Sequence, residues 1–168
     1  SVLVDNEKEL LEKKKVTKET SVGCDLGIKD LLITSDAEVF ENQKNFDIHK
    51  KQLKKEQRKL SRKVKGSNNY YQQRITVAKI YEKITNTRKD YLHKISKYLV
   101  DNYDTICLED LSIEKLLKEK KMSKLISDAS WATLRNFIEY KAEWQGKNVS
   151  IIGRYYPSSK TCSRSHNF

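Results

Sequence analysis

An α/β fold with a mixed sheet is what this sequence predicts, on three observations. Between Val22 and Phe40, short apolar runs alternate with turn-forming residues, the pattern of closely spaced strands. Between Gly66 and Gly146 there is no glycine, and the one proline, Pro157, lies further on, so nothing in that span interrupts long helices. Two more apolar, β-rich runs follow, one ending at Glu109 and one at Val149 to Ile152, with helical periodicity between them. The succession is strand meander, helix pair, strand, helix, strand, and that alternation is the signature of a sheet with both parallel and antiparallel neighbours.

Taken in order, Ser1 to Thr20 hold a short apolar run at Val2 to Val4 and then a charged stretch, read as the tail of an upstream unit plus a linker, with no function assigned. The runs Val22 to Asp25, Leu31 to Ile33 and Val39-Phe40, parted by Gly27 to Lys29 and Ser35 to Glu38, predict a three-stranded antiparallel meander. Lys50 to Lys65 carries Lys50, Lys51, Lys54, Lys55, Arg58, Lys59, Arg62, Lys63 and Lys65 against one acid, Glu56. Leu53, Leu60 and Val64 form a thin apolar stripe, so this helix keeps a narrow face for the core. Gly66 to Asn69 breaks it, and Ser67 is placed to cap the next helix.

From Tyr70 to Val100 the apolar positions Tyr71, Ile75, Ala78, Tyr81, Ile84, Tyr91, Leu92, Ile95 and Leu99 recur three or four apart, which predicts one long amphipathic helix. The two helices are expected to form an antiparallel hairpin with a basic outer surface that carries Arg74 and Arg88. The aromatics fall at core spacing, and His93 reads as a packed or surface histidine. A basic helical segment, Ser112 to Ile126, is followed by a better amphipathic helix from Asp128, the expected N-cap, to Gly146, the expected C′ residue. Trp131, Leu134, Phe137, Ile138, Lys141 and Trp144 lie along it.

Two acids carry the chemistry. Asp25 stands in an apolar strand between Gly23 and Gly27, and an ionised carboxylate there must be paired or must coordinate a cation. The glycines clear space for a hydrated divalent cation or a phosphate backbone to approach the main chain. The competing reading is that Asp25 starts a turn and the glycines supply permissive backbone angles. Glu109 ends the second apolar strand, and adjacent strand ends are where reacting groups gather in α/β sheets. Because side chains alternate along a strand, Glu109 and Asp110 face opposite ways. Glu109 is taken as the inward one; alternatively the two acids cap a helix starting near Ser112.

The 168 residues suit a single domain with a lean core, at 37% hydrophobic content. A formal net charge of +11 points to a polyanionic partner, with nucleic acid the first candidate. Three scattered cysteines make no disulfide framework and suggest a reducing, cytoplasmic setting. No apolar run approaches the roughly 20 residues of a membrane span, so no membrane partner is expected. The chain has no initiator Met and is expected to be a piece of something longer.

Seven stretches together resemble a known family: VGCDLGIK at Val22 to Lys29, QRKLSRKVKGSNN at Gln57 to Asn69, NTRKDYLHKISK at Asn86 to Lys97, YDTICLEDL at Tyr103 to Leu111, SDASW at Ser127 to Trp131, EYKAEWQG at Glu139 to Gly146, and YPSSKTCS at Tyr156 to Ser163. In that order they resemble the TnpB (OrfB) proteins of bacterial insertion sequences, labelled transposases and related to type V CRISPR effector nucleases. The resemblance implies an RNase H-like (RuvC-like) mixed sheet over residues 21–156, with a basic helical hairpin inserted at about 47–100. It implies an RNA-guided, metal-dependent DNA endonuclease whose partners are DNA and a guide RNA. Asp25 and Glu109 match the family's first two catalytic carboxylates and would ligate Mg²⁺, a role the acids' chemistry suits. Lys50, Lys51, Lys54, Lys55, Arg58, Lys59, Arg62, Lys63, Arg74 and Arg88 would then hold nucleic acid by its backbone.

The sequence departs from the family at its end. Residues 157–168 match the start of a zinc ribbon, but Ser165 stands where the second cysteine would follow Cys162, so no zinc is expected and Cys162 reads as a vestige. The family's third catalytic Asp is also absent, and with two of three carboxylates the chain is expected to hold metal weakly and cut slowly or not at all. Two functions stay open on the sequence: part of a nuclease, or else a nuclease-dead nucleic-acid-binding protein or a decaying transposon remnant without activity. A basic helical scaffold is the third reading, and it leaves the acids at both strand ends unexplained.

Overall fold

A computed structural model of the chain describes residues 11–43, 45–110 and 130–153. The strands β1 (Ser21–Asp25), β2 (Asp30–Thr34) and β3 (Val39–Glu41) form the antiparallel meander, and the helices α1 (Asn45–Ser61) and α2 (Asn68–Asn102) follow. Next come β4 (Thr105–Glu109), α3 (Trp131–Trp144) and β5 (Asn148–Ile152). The sheet order is β3-β2-β1-β4-β5, with β1 and β2, and β2 and β3, antiparallel, whereas β1, β4 and β5 run parallel. The mixed α/β architecture expected from the sequence is therefore present. The predicted Ser112 to Ile126 helix, Asp128, and the zinc-ribbon start with Cys162 lie outside the described residues.

One face of the sheet is sealed. Val22 and Cys24 from β1 and Ile106 and Leu108 from β4 pack against Leu92, Ile95 and Leu99 of α2 and against Trp131, Leu134 and Ile138 of α3. Burial pushes the Cys24 thiol up to about 12, with Cys107 adding to the shift, so Cys24 is a structural hydrophobe rather than a nucleophile. Three tyrosines tie α2 and its end to the meander: Tyr91 donates to the Glu41 carbonyl at 2.8 Å, Tyr98 donates to Glu38, and Tyr103 donates to Asp36 at 2.8 Å.

A second, smaller core holds the helix hairpin together: Leu53 of α1 meets Val77, Ile80 and Ile84 of α2, with Leu60 at its margin. Its register is antiparallel, since Gln73 near the start of α2 donates to Glu56 in the second half of α1 at 2.8 Å. Here the predicted apolar face needs correction. Tyr71, Ile75, Ala78 and Tyr81 are exposed, while Val77 and Ile80 are buried. The first half of α2 carries apolar residues on two faces, and the one that α1 covers is the one that is buried. Val64 likewise is exposed, because α1 ends at Ser61 and the stripe cannot continue past it.

Ser67 caps α2 as expected, its side chain accepting from the Tyr70 amide at 3.2 Å. At α3 the N-cap position is Ser130, in left-handed geometry (φ 50°) and with no capping side-chain bond. Gly146 follows the helix with φ 63°, as a C′ glycine does, and a Cβ there would lie 2.6 Å from the Glu12 carbonyl oxygen. The segment before β1 thus lies against this turn. Lys14 donates its amide to the Gly146 carbonyl at 2.9 Å, and its amine pairs with Asp104 at 2.8 Å. Among the described residues no helix is long and apolar enough to cross a membrane.

Candidate functional site

The parallel pairing of β1 with β4 positions the two acids. Ser21, Val22, Gly23 and Cys24 stand opposite Thr105, Ile106, Cys107 and Leu108, and one step further along this register Asp25 falls beside Glu109. Neighbours across a parallel ladder project to the same side, and their strands are about 4.8 Å apart. Cys24 and Leu108 are buried in the core, so alternation turns Asp25 and Glu109 to the opposite face. There Asp25 is exposed and Glu109 half-buried. The same row continues to Ile33 on β2 and Ile152 on β5, which makes an acid pair flanked by two partly exposed isoleucines.

Neither carboxylate has an ion-pair partner among the described residues. Two carboxylates on adjacent strands, with oxygens unclaimed by protein cations, are a donor set that fits a hard divalent cation. Among the described residues no group of three or more His, Cys, Asp or Glu is gathered for a metal ion. Asp110, one residue on, points the other way. Its amide extends the ladder by donating to the Ile152 carbonyl at 3.1 Å, and its carboxylate lies 4.0 Å from Arg135 of α3.

Gly27, two residues after Asp25, serves the chain itself. A Cβ on Gly27 would lie 2.7 Å from the Asp30 carbonyl oxygen, so this glycine is demanded by the tight β1–β2 connection and not by an incoming cation. At Gly23 the amide and carbonyl both meet Ser35, at 3.2 and 2.8 Å.

The basic residues separate into two groups. Lys50, Lys51, Lys54, Lys55, Arg58, Lys59, Arg62, Lys63 and Arg74 are exposed on the hairpin. Six of them, Lys51, Lys54, Lys55, Arg58, Lys59 and Arg62, line a broad groove along α1 of about 810 Å³. Glu56 leaves most of this charge unbalanced: it pairs with Lys59 at 2.8 Å and accepts from Gln73, and these two bonds hold its carboxyl below the usual range. Arg88 instead is half-buried where α2 meets α3, donating to the Ser130 hydroxyl at 3.1 Å. His93 packs flat on Phe137, with ring centroids 3.8 Å apart. Burial and then the Lys141 charge keep its pKa down, as suits a packing histidine.

One side chain near the acids is absent from the sequence reading. Arg135 shares a cleft of about 230 Å³ with Glu109, at the carboxyl ends of β1 and β4. Its only trace in the sequence is the helical Arg135–Glu139 spacing.

A family model for IS605 OrfB, described as a probable transposase, matches residues 1–120, and one described as the Cas12f1-like TNB domain matches residues 131–167. Over 142 residues the chain is 43% identical to a Streptomyces pristinaespiralis protein named "Putative RNA-guided DNA endonuclease", the match taking in 84% of this chain and 35% of that protein. It is 32% identical over 160 residues to InsQ of Escherichia coli K12, named in the same way, taking in 86% of this chain and 40% of that one. The chain thus spans less than half the length of these curated relatives. A chain in a cryo-EM structure of a Cas12f1–sgRNA–target DNA complex shares the fold, with a TM-score of 0.61 at 20% identity, over 92% of this chain and 33% of the other.

Proposed function

Because the chain belongs to the IS605 OrfB family of probable transposases, we propose that it is the RuvC-like nuclease portion of a TnpB-type, RNA-guided DNA endonuclease. The observation that carries this reading is the β1–β4 register, which brings Asp25 beside Glu109 on the less covered face of the sheet. Three antiparallel strands followed by two parallel ones support an RNase H-like sheet. Asp25 and Glu109 would hold Mg²⁺, which when bound supplies a more acidic water and neutralises charge on a phosphodiester.

The chain's own residues do the rest. The half-buried setting of Glu109 restricts its rotamers, and the β4–β5 ladder, continued by the Asp110 amide, fixes its backbone before any ligand arrives. The α1 groove offers a row of cations with almost no opposing acid, suited to the phosphates of a guide RNA–DNA duplex, whose sequence is read by base pairing and not by side chains. A cleavage assay with guide RNA and divalent metal, comparing the chain with Asp25→Ala, tests this. Metal-dependent cleavage that the substitution abolishes is the expected result.

A second reading is favoured by one observation, the row of α1 cations, which suits a polyanion without any carboxylate taking part. On that reading the chain holds nucleic acid without cutting it. Salt-sensitive binding with no cleavage at any metal concentration would decide for this alternative.

A further inference from the structure

We propose that Arg135 is a phosphate-contact residue for the nucleic-acid strand that reaches the Asp25–Glu109 pair. The inference rests on the reading of that pair as a phosphodiester-processing site. The cleft at the carboxyl ends of β1 and β4 is walled by Leu26, Leu108 and Trp131 on the helix-covered side of the sheet; it carries Asp110 and Glu139 and reaches the strand end at Glu109, whose side chain turns to the face that holds Asp25. Arg135 is the one cation among the described residues that line it. A polyanionic strand that passes this strand end on its way to the acid pair also meets the repulsion of Asp110 and Glu139, and among the described residues lining the cleft only this guanidinium offsets it.

Its geometry leaves it available. The Arg135 side chain is 40% exposed, and Nε donates to Glu139 at 2.8 Å, which fixes the plane of the guanidinium one helical turn away. Nη1 lies 4.0 Å from Asp110, beyond hydrogen-bond range. The donors on Nη1 and Nη2 therefore have no hydrogen-bond acceptor among the described residues. A planar fork held along one edge and open on the other is the arrangement that takes a phosphate in a bidentate fashion. Glu139 acts here as a positioning residue, keeping the fork turned into the cleft.

The test is fluorescence-anisotropy binding of a labelled single-stranded DNA oligonucleotide to the chain across a salt series, with Arg135→Gln and Arg135→Lys. Each phosphate contact contributes about 0.7 to the slope of log affinity against log salt for single strands. Between 50 and 200 mM salt the wild type is expected to lose about 2.6-fold more affinity than Arg135→Gln. Arg135→Lys, which keeps the charge but not the fork, is expected to retain the slope and bind more weakly at every salt concentration. Equal slopes for wild type and Arg135→Gln, with both folded by circular dichroism, would overturn the inference and reduce Arg135 to a surface ion pair with Glu139. Mn²⁺ titration of the same proteins separates the two layers. Arg135→Gln is expected to bind Mn²⁺ as the wild type does, whereas a wild-type affinity indifferent to Asp25→Asn would overturn the underlying reading of the acid pair.

Discussion

Replacing Asp25 by Asn is expected to stabilise the metal-free chain and to remove its stabilisation by metal, two effects of opposite sign from one substitution. The reasoning starts from the register, which sets Asp25 and Glu109 side by side on strands about 4.8 Å apart. Two like unit charges about 5 Å apart in water repel by about 0.8 kcal/mol. The aqueous limit is the appropriate one because Asp25 is exposed. Asparagine is nearly isosteric and abolishes the repulsion. In a domain of this size, that corresponds to a rise in Tm of about 2 °C. With Mn²⁺ at one hundred times its Kd, the wild type gains about 2.7 kcal/mol, or about 5 to 10 °C, because the ion binds only the folded state. Asp25→Asn loses that gain, having given up half the donor set. Differential scanning calorimetry with EDTA and with excess Mn²⁺ measures both arms. A lower Tm for Asp25→Asn in EDTA, or an undiminished response to Mn²⁺, would show that the carboxylates do not share a site.

Gly27→Ala is expected to destabilise the chain by about 1–3 kcal/mol in urea melts, since its Cβ would lie 2.7 Å from a backbone oxygen that cannot yield without opening the β1–β2 turn. The Asp104 carboxyl is held below its usual range first by the Lys14 amine and then by Lys147. The folded state therefore sheds this proton more readily than the unfolded one. The resulting stability is present above the unfolded value near 3.9 and is lost as pH falls through the folded value. Lys14→Gln is accordingly expected to flatten the loss of stability between pH 5 and pH 2, roughly the window for a salt-bridged carboxylate, and denaturant melts across that range check it. Neutralising Lys54, Lys55, Arg58 and Arg62 together as glutamine is expected to lower the salt slope of duplex binding by up to about 3.6, at about 0.9 for each phosphate released. An unchanged slope would move the nucleic-acid interface away from α1.

The sequence alone determined the elements and their kinds. The meander between Val22 and Phe40 was legible because strand alternation and turn residues are local, and the long helices because no glycine or proline interrupts them. The two acids stood out in the sequence because a carboxylate ending an apolar strand has few inexpensive explanations. Only the tertiary structure decided what lies beside what. That Asp25 meets Glu109 depends on an offset of β1 against β4, which neither strand carries within itself, since a shift of one residue would turn every side chain to the other face. The buried side of α2 was decided by α1, which covers Val77 and Ile80 and leaves Tyr71 and Ile75 in solvent, although local periodicity accommodates either face. Gly27 is read correctly only once the Asp30 carbonyl is seen above it, and Arg135 only once α3 has docked at the end of β4. The physical reason is common to all of these: propensity and periodicity act over a few residues, whereas register, face and cleft are set by contacts between segments far apart in the chain.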